Sequence, residues 1–401
     1  MSASKPLAGF RILSVEQFAA GPYGTMFLAD LGAEVIKIEN PAVGGDPARY
    51  GGPFMLGEAD SEYFQTWNLN KHSIAIDLKS PAGRAAFDEL AARADAVVDN
   101  LRGDLPAKLG LDYRALSKLR PSIVCVHISA YGRDTSRAAW PGYDYLMQAE
   151  SGLMHLTGEP EGPPARFGAP SMIDHMTGMT AMVGLLAALL RARESGRGCD
   201  VDVSLLDVAL HQLGYAAIWY LNEGVCSSRQ PRSAHFSVGP VQTLRTQDGW
   251  IFLMCMTEKF WRELVDILAR PDLEGDPRFA TPGSRGTHRQ ALTQILDEEL
   301  SRQPMRHWLD AFKGRLPAAP VLDVATALES DFVAEAGMIR PVPHPSRPDF
   351  RVLSNPLKID GERLDLRVCS PLGADGIDAL ADDALADDAP ADGAPAGDGW
   401  S

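Results

Sequence analysis

Residues 10–39 read strand, turn, helix, strand, and that opening confines the chain to few folds. Phe10-Arg-Ile-Leu-Ser-Val15 is the first strand, and a helix runs from about Pro22 to Leu31. Gly32 serves as its C-terminal stop, and Glu34-Val-Ile-Lys-Ile-Glu39 is the second strand. Further strands are expected at 73–78, 96–99, 123–129 and 200–205, with helical patterns between them at 82–93, 113–118 and 172–194. Such alternation predicts a parallel α/β sheet with helices on both faces.

The texture changes after a helix expected over 205–223. Residues 225–240 are rich in Ser, Pro, Arg and Gly and read as a linker. The expected organisation is a large α/β domain over 1–224, that linker, a small domain over 241–321, a return segment over 322–370, and an acidic tail over 371–401. The small domain has a strand at Trp250–Met254 and helices at 258–268, 288–301 and 305–313. The tail has almost no large apolar groups and is expected to be disordered.

The net charge of −15 argues at first against nucleic acid or an anionic membrane as partner. The tail holds eight Asp and no Lys or Arg, so it carries −8 of that total and leaves the body only mildly acidic. A local basic patch for a phosphorylated ligand therefore remains compatible with the sequence. Five cysteines stand without CxxC spacing, which points to a reducing compartment and no zinc site; Cys125, Cys199 and Cys255 read as buried thiols. No secretory signal is visible at the start, and the apolar stretch Met176–Leu190 is short for a membrane span. A cytoplasmic protein is expected.

The turn Ala19-Ala-Gly-Pro-Tyr-Gly24 sits where a dinucleotide fingerprint would be, but GxGxxG is absent. A small-residue turn at a helix start can still take an anionic ligand, or can be a tight turn with Pro22 at the first helical position. Arg49, Lys71, Lys79 and Arg102 lie at or near strand ends and loops, where open sheets bind ligands. Each is also readable as a solvated surface charge. The segment Gly168-Ala-Pro-Ser-Met-Ile-Asp174-His-Met-Thr-Gly178 runs into an apolar helix, placing Asp174 where the helix dipole favours a carboxylate. Aspartate is also a common N-cap, so position alone leaves Asp174 open between capping and chemistry. Gly178 permits close approach of another chain or a ligand.

An ordered series of motifs then narrows the field. Ala20-Gly21-Pro22, Leu31-Gly-Ala-Glu-Val-Ile-Lys-Ile-Glu39, Gly45-Asp46…Arg49, Asn68…Asn70-Lys71, Asp99-Asn100, Gly142-Tyr-Asp144, Asp174…Thr177-Gly178 and Ser195-Gly-Arg-Gly198 follow one another. The chain resembles the class III (CaiB/BaiF-type) coenzyme A transferases over about residues 7–370, including Asp276-Pro-Arg-Phe279. The resemblance implies a Rossmann-like large domain, a smaller α/β domain, and two copies interlocked as ring-like homodimers. It implies Asp174 as the nucleophile and Ala19, Ile76, Lys79, Asn100 and Leu101 as coenzyme A contacts; Arg49, Lys71 and Arg102 join them as candidate phosphate partners. Asn40 stands where some relatives carry an arginine near the adenosine, and the Gly-rich loop of formyl-CoA transferases is not evident.

The implied reaction moves CoA from an acyl-CoA donor such as succinyl-CoA to a carboxylic acid, by way of an aspartyl anhydride and an aspartyl-CoA thioester. An aspartate ionised at neutral pH needs no general base, so no metal or redox cofactor is expected beyond CoA itself. Short or branched dicarboxylates are the expected acids, with Tyr143, His175, Arg232, His235 and Arg245 as candidate substrate contacts. Two other readings stand beside this one. The fold also hosts α-methylacyl-CoA racemases, whose histidine position is occupied here by Tyr143, a poor base at neutral pH, although His175 could substitute. A silent CoA-binding homologue is the third reading.

Overall fold

A computed structural model of the chain describes residues 5–168 and 170–376. Its contacts group into two units: 1–141 with 174–204 and the segment from 340 onward, and 142–173 with 205–339. The helices over 205–223 and the segment 322–339 thus group with the second unit.

The first unit is built on β1 (Arg11–Val15), α1 (Ala20–Asp30), β2 (Glu34–Glu39), α2 (Glu62–Asn68), β3 (His72–Ala75), α3 (Pro81–Ala91), β4 (Ala96–Asp99), β5 (Val124–Ser129), α4 (Met172–Ser195) and β6 (Cys199–Ser204). The six strands form one parallel sheet in the order β3-β2-β1-β4-β5-β6. The chain works outward from β1 in one direction and then restarts at β4 on its other side. The carboxyl ends of β1 and β4 therefore flank the switch point where doubly wound sheets bind ligands. Leu13, Ile36, Ile74, Val97 and Cys125 from five strands pack with Phe87 and Leu90 of α3 into one core. Burying each such side chain is worth about 1.5–3 kcal/mol. A charged residue at Val97, which is completely buried, would break this layer.

Helix α1 starts at Ala20, two residues before the expected Pro22, which becomes its third residue. Proline is tolerated there because the first-turn N–H groups have no partner within the helix. Helix α4 spans 24 residues and exceeds the apolar stretch read from the sequence. By length and composition it could cross a membrane, with mean hydropathy 1.4 over its best window. It packs on α1 within the first unit, at Gly24 and Gly178.

In the second unit, α5 (Leu205–His211) and α6 (Tyr215–Glu223) replace the single helix expected over 205–223. The break falls at Gly214, whose φ of 54° lies outside helical space. A three-stranded antiparallel sheet follows, with β8 (Trp250–Met254) between β7 (Val241–Arg245) and β9 (Ala318–Pro320). It carries α7 (Glu258–Ile267), α8 (Arg289–Leu300) and α9 (Met305–Phe312), with Trp261, Leu264, Leu296, Trp308 and Phe312 in the core.

Two further expectations are corrected. The acidic tail was expected to be disordered from residue 371, yet Asp375 accepts the Ser73 N–H at 2.8 Å and lies 3.2 Å from His72 Nδ1. Gly373 donates its N–H to Ser73 Oγ, so 371–376 is tied to β3; residues 377–401 lie outside the described residues. Cys199 is half-buried, whereas Cys369 is buried alongside Cys125 and Cys255.

Candidate active site

The loops after β1, β2 and β4 enclose a cavity of about 130 Å³, lined by residues that include Gln17, Asn40 and Leu101. Asn100 holds its mouth together. Its side chain accepts the Gln17 N–H at 2.9 Å and donates to the Gln17 carbonyl at 2.6 Å, joining the β1 and β4 loops. Asn40 turns inward on its own loop, where its side-chain oxygen accepts the Ala42 N–H. Ala19 closes β1 into α1, and a Cβ at Gly21 would lie 3.0 Å from Glu16 and 3.2 Å from Asn100. The small residues of this turn are thus dictated by crowding. Ile76 is buried just after β3, and Lys79 and Arg102 are exposed at the loops after β3 and β4, Arg102 3.2 Å from Asp104.

Beneath the cavity lies a charge network that sequence reasoning did not assemble. Lys37 pairs with Asp46 at 2.9 Å and donates to the Glu16 carbonyl; Lys71 pairs with Glu16 at 2.7 Å; Arg49 pairs with Glu39 at 2.6 Å. All six side chains are essentially completely buried. Three carboxylates meet three cations, so each desolvation penalty is offset by a partner. Burial alone would raise the Glu39 carboxyl, but the Arg49 hydrogen bond and the nearby Lys37 charge bring it down to about 2. Burial pulls Lys71 down to about 8 against the opposing pull of Glu16.

This network settles where two candidate phosphate partners sit. Arg49 also donates to the Ala59 and Ser370 carbonyls and stacks 3.9 Å from the Phe64 ring. Lys71 also donates to the Pro22 carbonyl and to Asn68. Both spend their charge inside the first unit, shaping the floor of the cavity. Their partners lie 10 and 55 residues away in sequence, which is why spacing could not reveal them.

Asp174 lies half-buried in the first turn of α4, two residues inside it, which replaces the N-cap reading with a first-turn position. A carboxylate is favoured there by the helix dipole and by N–H groups with no helical acceptor. Two contacts fix that turn on α1. A Cβ at Gly178 would stand 2.4 Å from the Ala20 carbonyl oxygen, so the helices touch backbone to backbone. His175 stacks on Tyr23 with ring centres 4.2 Å apart and planes at 16°, and abuts Trp67 at 4.9 Å. The Asp174 turn and the turn at the cavity mouth are therefore carried by one helix pair.

The other sequence candidates belong to the second unit. Tyr143 is exposed at the N-cap of the helix Asp144–Ser151. Arg232 pairs with Asp297 at 2.6 Å and lies over the Trp250 ring. Both nitrogens of His235 are engaged: Nδ1 accepts the N–H groups of Ser237 and Val238, and Nε2 lies 3.2 Å from the Tyr215 hydroxyl. Burial and the Arg289 charge lower its pKa, so the ring is neutral. Arg245 is exposed at the end of β7, and its backbone N–H donates to Asp297. Glu159, Arg232, Arg289 and Asp297 line a cavity of about 640 Å³ in this unit.

The sequence pattern of CoA-transferase family III matches residues 7–376. The chain belongs to that family. It is 34% identical over 364 residues to the acetyl-CoA:oxalate CoA-transferase of Acetobacter aceti, spanning 89% of this chain and 90% of that protein. It is 35% identical over 352 residues to the succinate–glutarate CoA-transferase of Agrobacterium fabrum, spanning 84% and 87%. Against the succinyl-CoA:mesaconate CoA-transferase of Haloarcula hispanica it is 32% identical over 361 residues, spanning 88% and 90%. Among solved structures, a CaiB/BaiF family protein from Brucella suis superposes with a TM-score of 0.80 at 31% identity, covering 94% of this chain and 98% of that one. A Mycobacterium tuberculosis protein does so at 0.82 and 29%, covering 94% and 99%. The family III protein is thus an acyl-CoA:carboxylate CoA-transferase.

Proposed function

We propose that this family III enzyme moves CoA from succinyl-CoA or a similar donor to a short or branched dicarboxylic acid, with Asp174 as covalent nucleophile. The observation that carries this reading is the half-buried Asp174 carboxylate in a helix turn locked onto α1, which itself starts at the switch-point cavity. The relatives named for succinyl-CoA with glutarate or mesaconate support the choice of acids.

In the first step an Asp174 oxygen attacks the thioester carbonyl, the carbon–sulfur bond breaks, and an aspartyl anhydride forms with CoA thiolate as leaving group. The thiolate then attacks the aspartyl carbonyl of the anhydride and releases the donor acid as its carboxylate. The product is an aspartyl-CoA thioester. An acceptor carboxylate repeats these steps in reverse and leaves as its CoA ester, regenerating Asp174. No proton is consumed, so the site must supply desolvation, alignment and N–H donors rather than a base.

The coenzyme is assigned to the switch-point cavity, with Ala19, Ile76, Asn100 and Leu101 lining its approach and the exposed Lys79 and Arg102 meeting its phosphates. Arg49 and Lys71 are left out of that contact set because their charges are committed to Glu39 and Glu16. The distal carboxylate of the acid falls to Arg245 rather than Arg232, which Asp297 neutralises, or His235, which is neutral. Two copies interlock as a homodimer in this reading, which the exposed Tyr215, Ile218, Tyr220 and Leu221 of α6 support. Turnover of succinyl-CoA against a panel of dicarboxylates, in wild type and Asp174→Ala, tests the assignment. Loss of all exchange in the variant is expected, and retained exchange sinks it.

A further inference from the structure

The second residue of the Asp174-His175 pair has a place in the fold that neither a substrate contact nor a base explains. Successive residues on a helix diverge by about 100°, so the two side chains leave α4 in different directions. The His175 ring goes into a socket of aromatic rings. Tyr23 covers one face at 4.2 Å, and Trp67 stands 4.9 Å away at 55°. Behind them, Phe27 lies 5.1 Å from Tyr23 and Tyr63 lies 6.2 Å from Trp67. The socket is itself anchored, because Lys71 donates to both Pro22, next to Tyr23, and Asn68, next to Trp67.

We propose that His175 is a positioning residue for the reaction: its ring, filed against Tyr23 and Trp67, sets the rotation of the turn that presents Asp174. The proposal rests on the reading of Asp174 as nucleophile. Gly178 fixes the seam one turn further along α4, where it meets Ala20 and Gly24. The first N–H groups of a helix have no acceptor within it, so side-chain contacts set how its first turn lies. Ile173 and Thr177 are buried on the same stretch of α4, and the His175 ring adds a flat contact there to Tyr23 of α1 and Trp67 of α2. What the site needs from it is a flat ring of the right thickness, not a proton.

The variants His175→Phe, His175→Ala and Asp174→Ala test this in the full-length enzyme. The assay uses succinyl-CoA and whichever dicarboxylate turns over fastest, with kcat, KM and the pH profile of kcat as readouts. Removing the ring lets the Asp174 turn shift while the α1 turn stays anchored, so His175→Ala should lower kcat about 10- to 100-fold with the acyl-CoA KM within about threefold. His175→Phe should keep kcat within about threefold and leave the pH profile unmoved, and it carries the test alone should the alanine variant fail to fold. A phenylalanine variant as slow as the alanine variant, or one that loses a pH inflection, overturns the proposal, as does an alanine variant with wild-type kcat. Activity in Asp174→Ala would instead sink the nucleophile reading, and the proposal with it.

Discussion

Gly178 and Ala20 meet so closely that a methyl group on the glycine would stand 2.4 Å from the alanine's carbonyl oxygen. Neither partner is a flexible side chain that could yield, so Gly178→Ala must push α4 off α1. Overpacking of this kind costs about 2 kcal/mol. Because the displaced helix carries Asp174, kcat should fall by more than the loss of folded protein explains. Urea unfolding and active-site-normalised kcat check both halves, and a variant with unchanged stability contradicts the backbone contact.

Arg245 and Arg232 differ in what already neutralises them. Asp297 pairs with the Arg232 guanidinium at 2.6 Å, whereas Arg245 gives that carboxylate only its backbone N–H. Arg245→Ala should therefore raise the KM for dicarboxylates about 10-fold or more and leave monocarboxylates unaffected, the loss of one charge-assisted contact. Arg232→Ala should chiefly lower the melting temperature. Steady-state kinetics on paired mono- and dicarboxylic acids separate the two, and equal KM values in wild type and Arg245→Ala remove the assignment.

Glu39 makes the fold acid-sensitive. Its folded pKa of about 2 lies below the ordinary 4.5, so its contribution is present above pH 4.5 and is lost as pH falls towards 2. The shift corresponds to stability on the order of 3 kcal/mol. Glu39→Gln should be less stable at neutral pH and show a flatter decline over that window, measured by denaturant unfolding at stepped pH. Parallel pH curves for variant and wild type would show that Arg49 contributes nothing through this pair.

His127 acts in the opposite sense. Its Nδ1 lies 2.6 Å from Asp99 and its Nε2 3.0 Å from Asp200, with Arg133 3.5 Å from Asp200 and bonded to Asp202. Burial alone would lower its pKa, but the Asp200 and Asp99 carboxylates outweigh burial and the Arg133 charge and raise it to about 9. A folded pKa above the ordinary 6.5 means this stability is complete below pH 6.5 and is lost as pH rises through 9. The melting temperature should fall across that interval, and His127→Gln should lower it at pH 6 and flatten the slope. A wild-type curve flat from 6.5 to 9 contradicts a protonated His127.

The sequence made some elements legible and hid others for physical reasons. The strands at 34–39 and 96–99 and the helix from 172 stand where the apolar stretches of the sequence put them. The helix expected over 205–223 is rich in apolar residues on both sides of Gly214, and the backbone conformation at Gly214 reveals its break. Gly178 was legible as a point of close approach, but not that Ala20 approaches it. Arg49 and Lys71 could not be told from ligand cations, since Glu39 and Glu16 reach them only through the parallel sheet. Aromatic residues 23, 67 and 175 share no local pattern, so the socket around His175 exists only in three dimensions.

The most direct test of the account is peptide mass spectrometry after incubation with succinyl-CoA and trapping with hydroxylamine or borohydride, on wild type and Asp174→Ala. A CoA-sized or trapped adduct is expected on the peptide that carries Asp174, absent from the variant. A covalent adduct on any other residue, or exchange of CoA between acids at wild-type rate by Asp174→Ala, would contradict it.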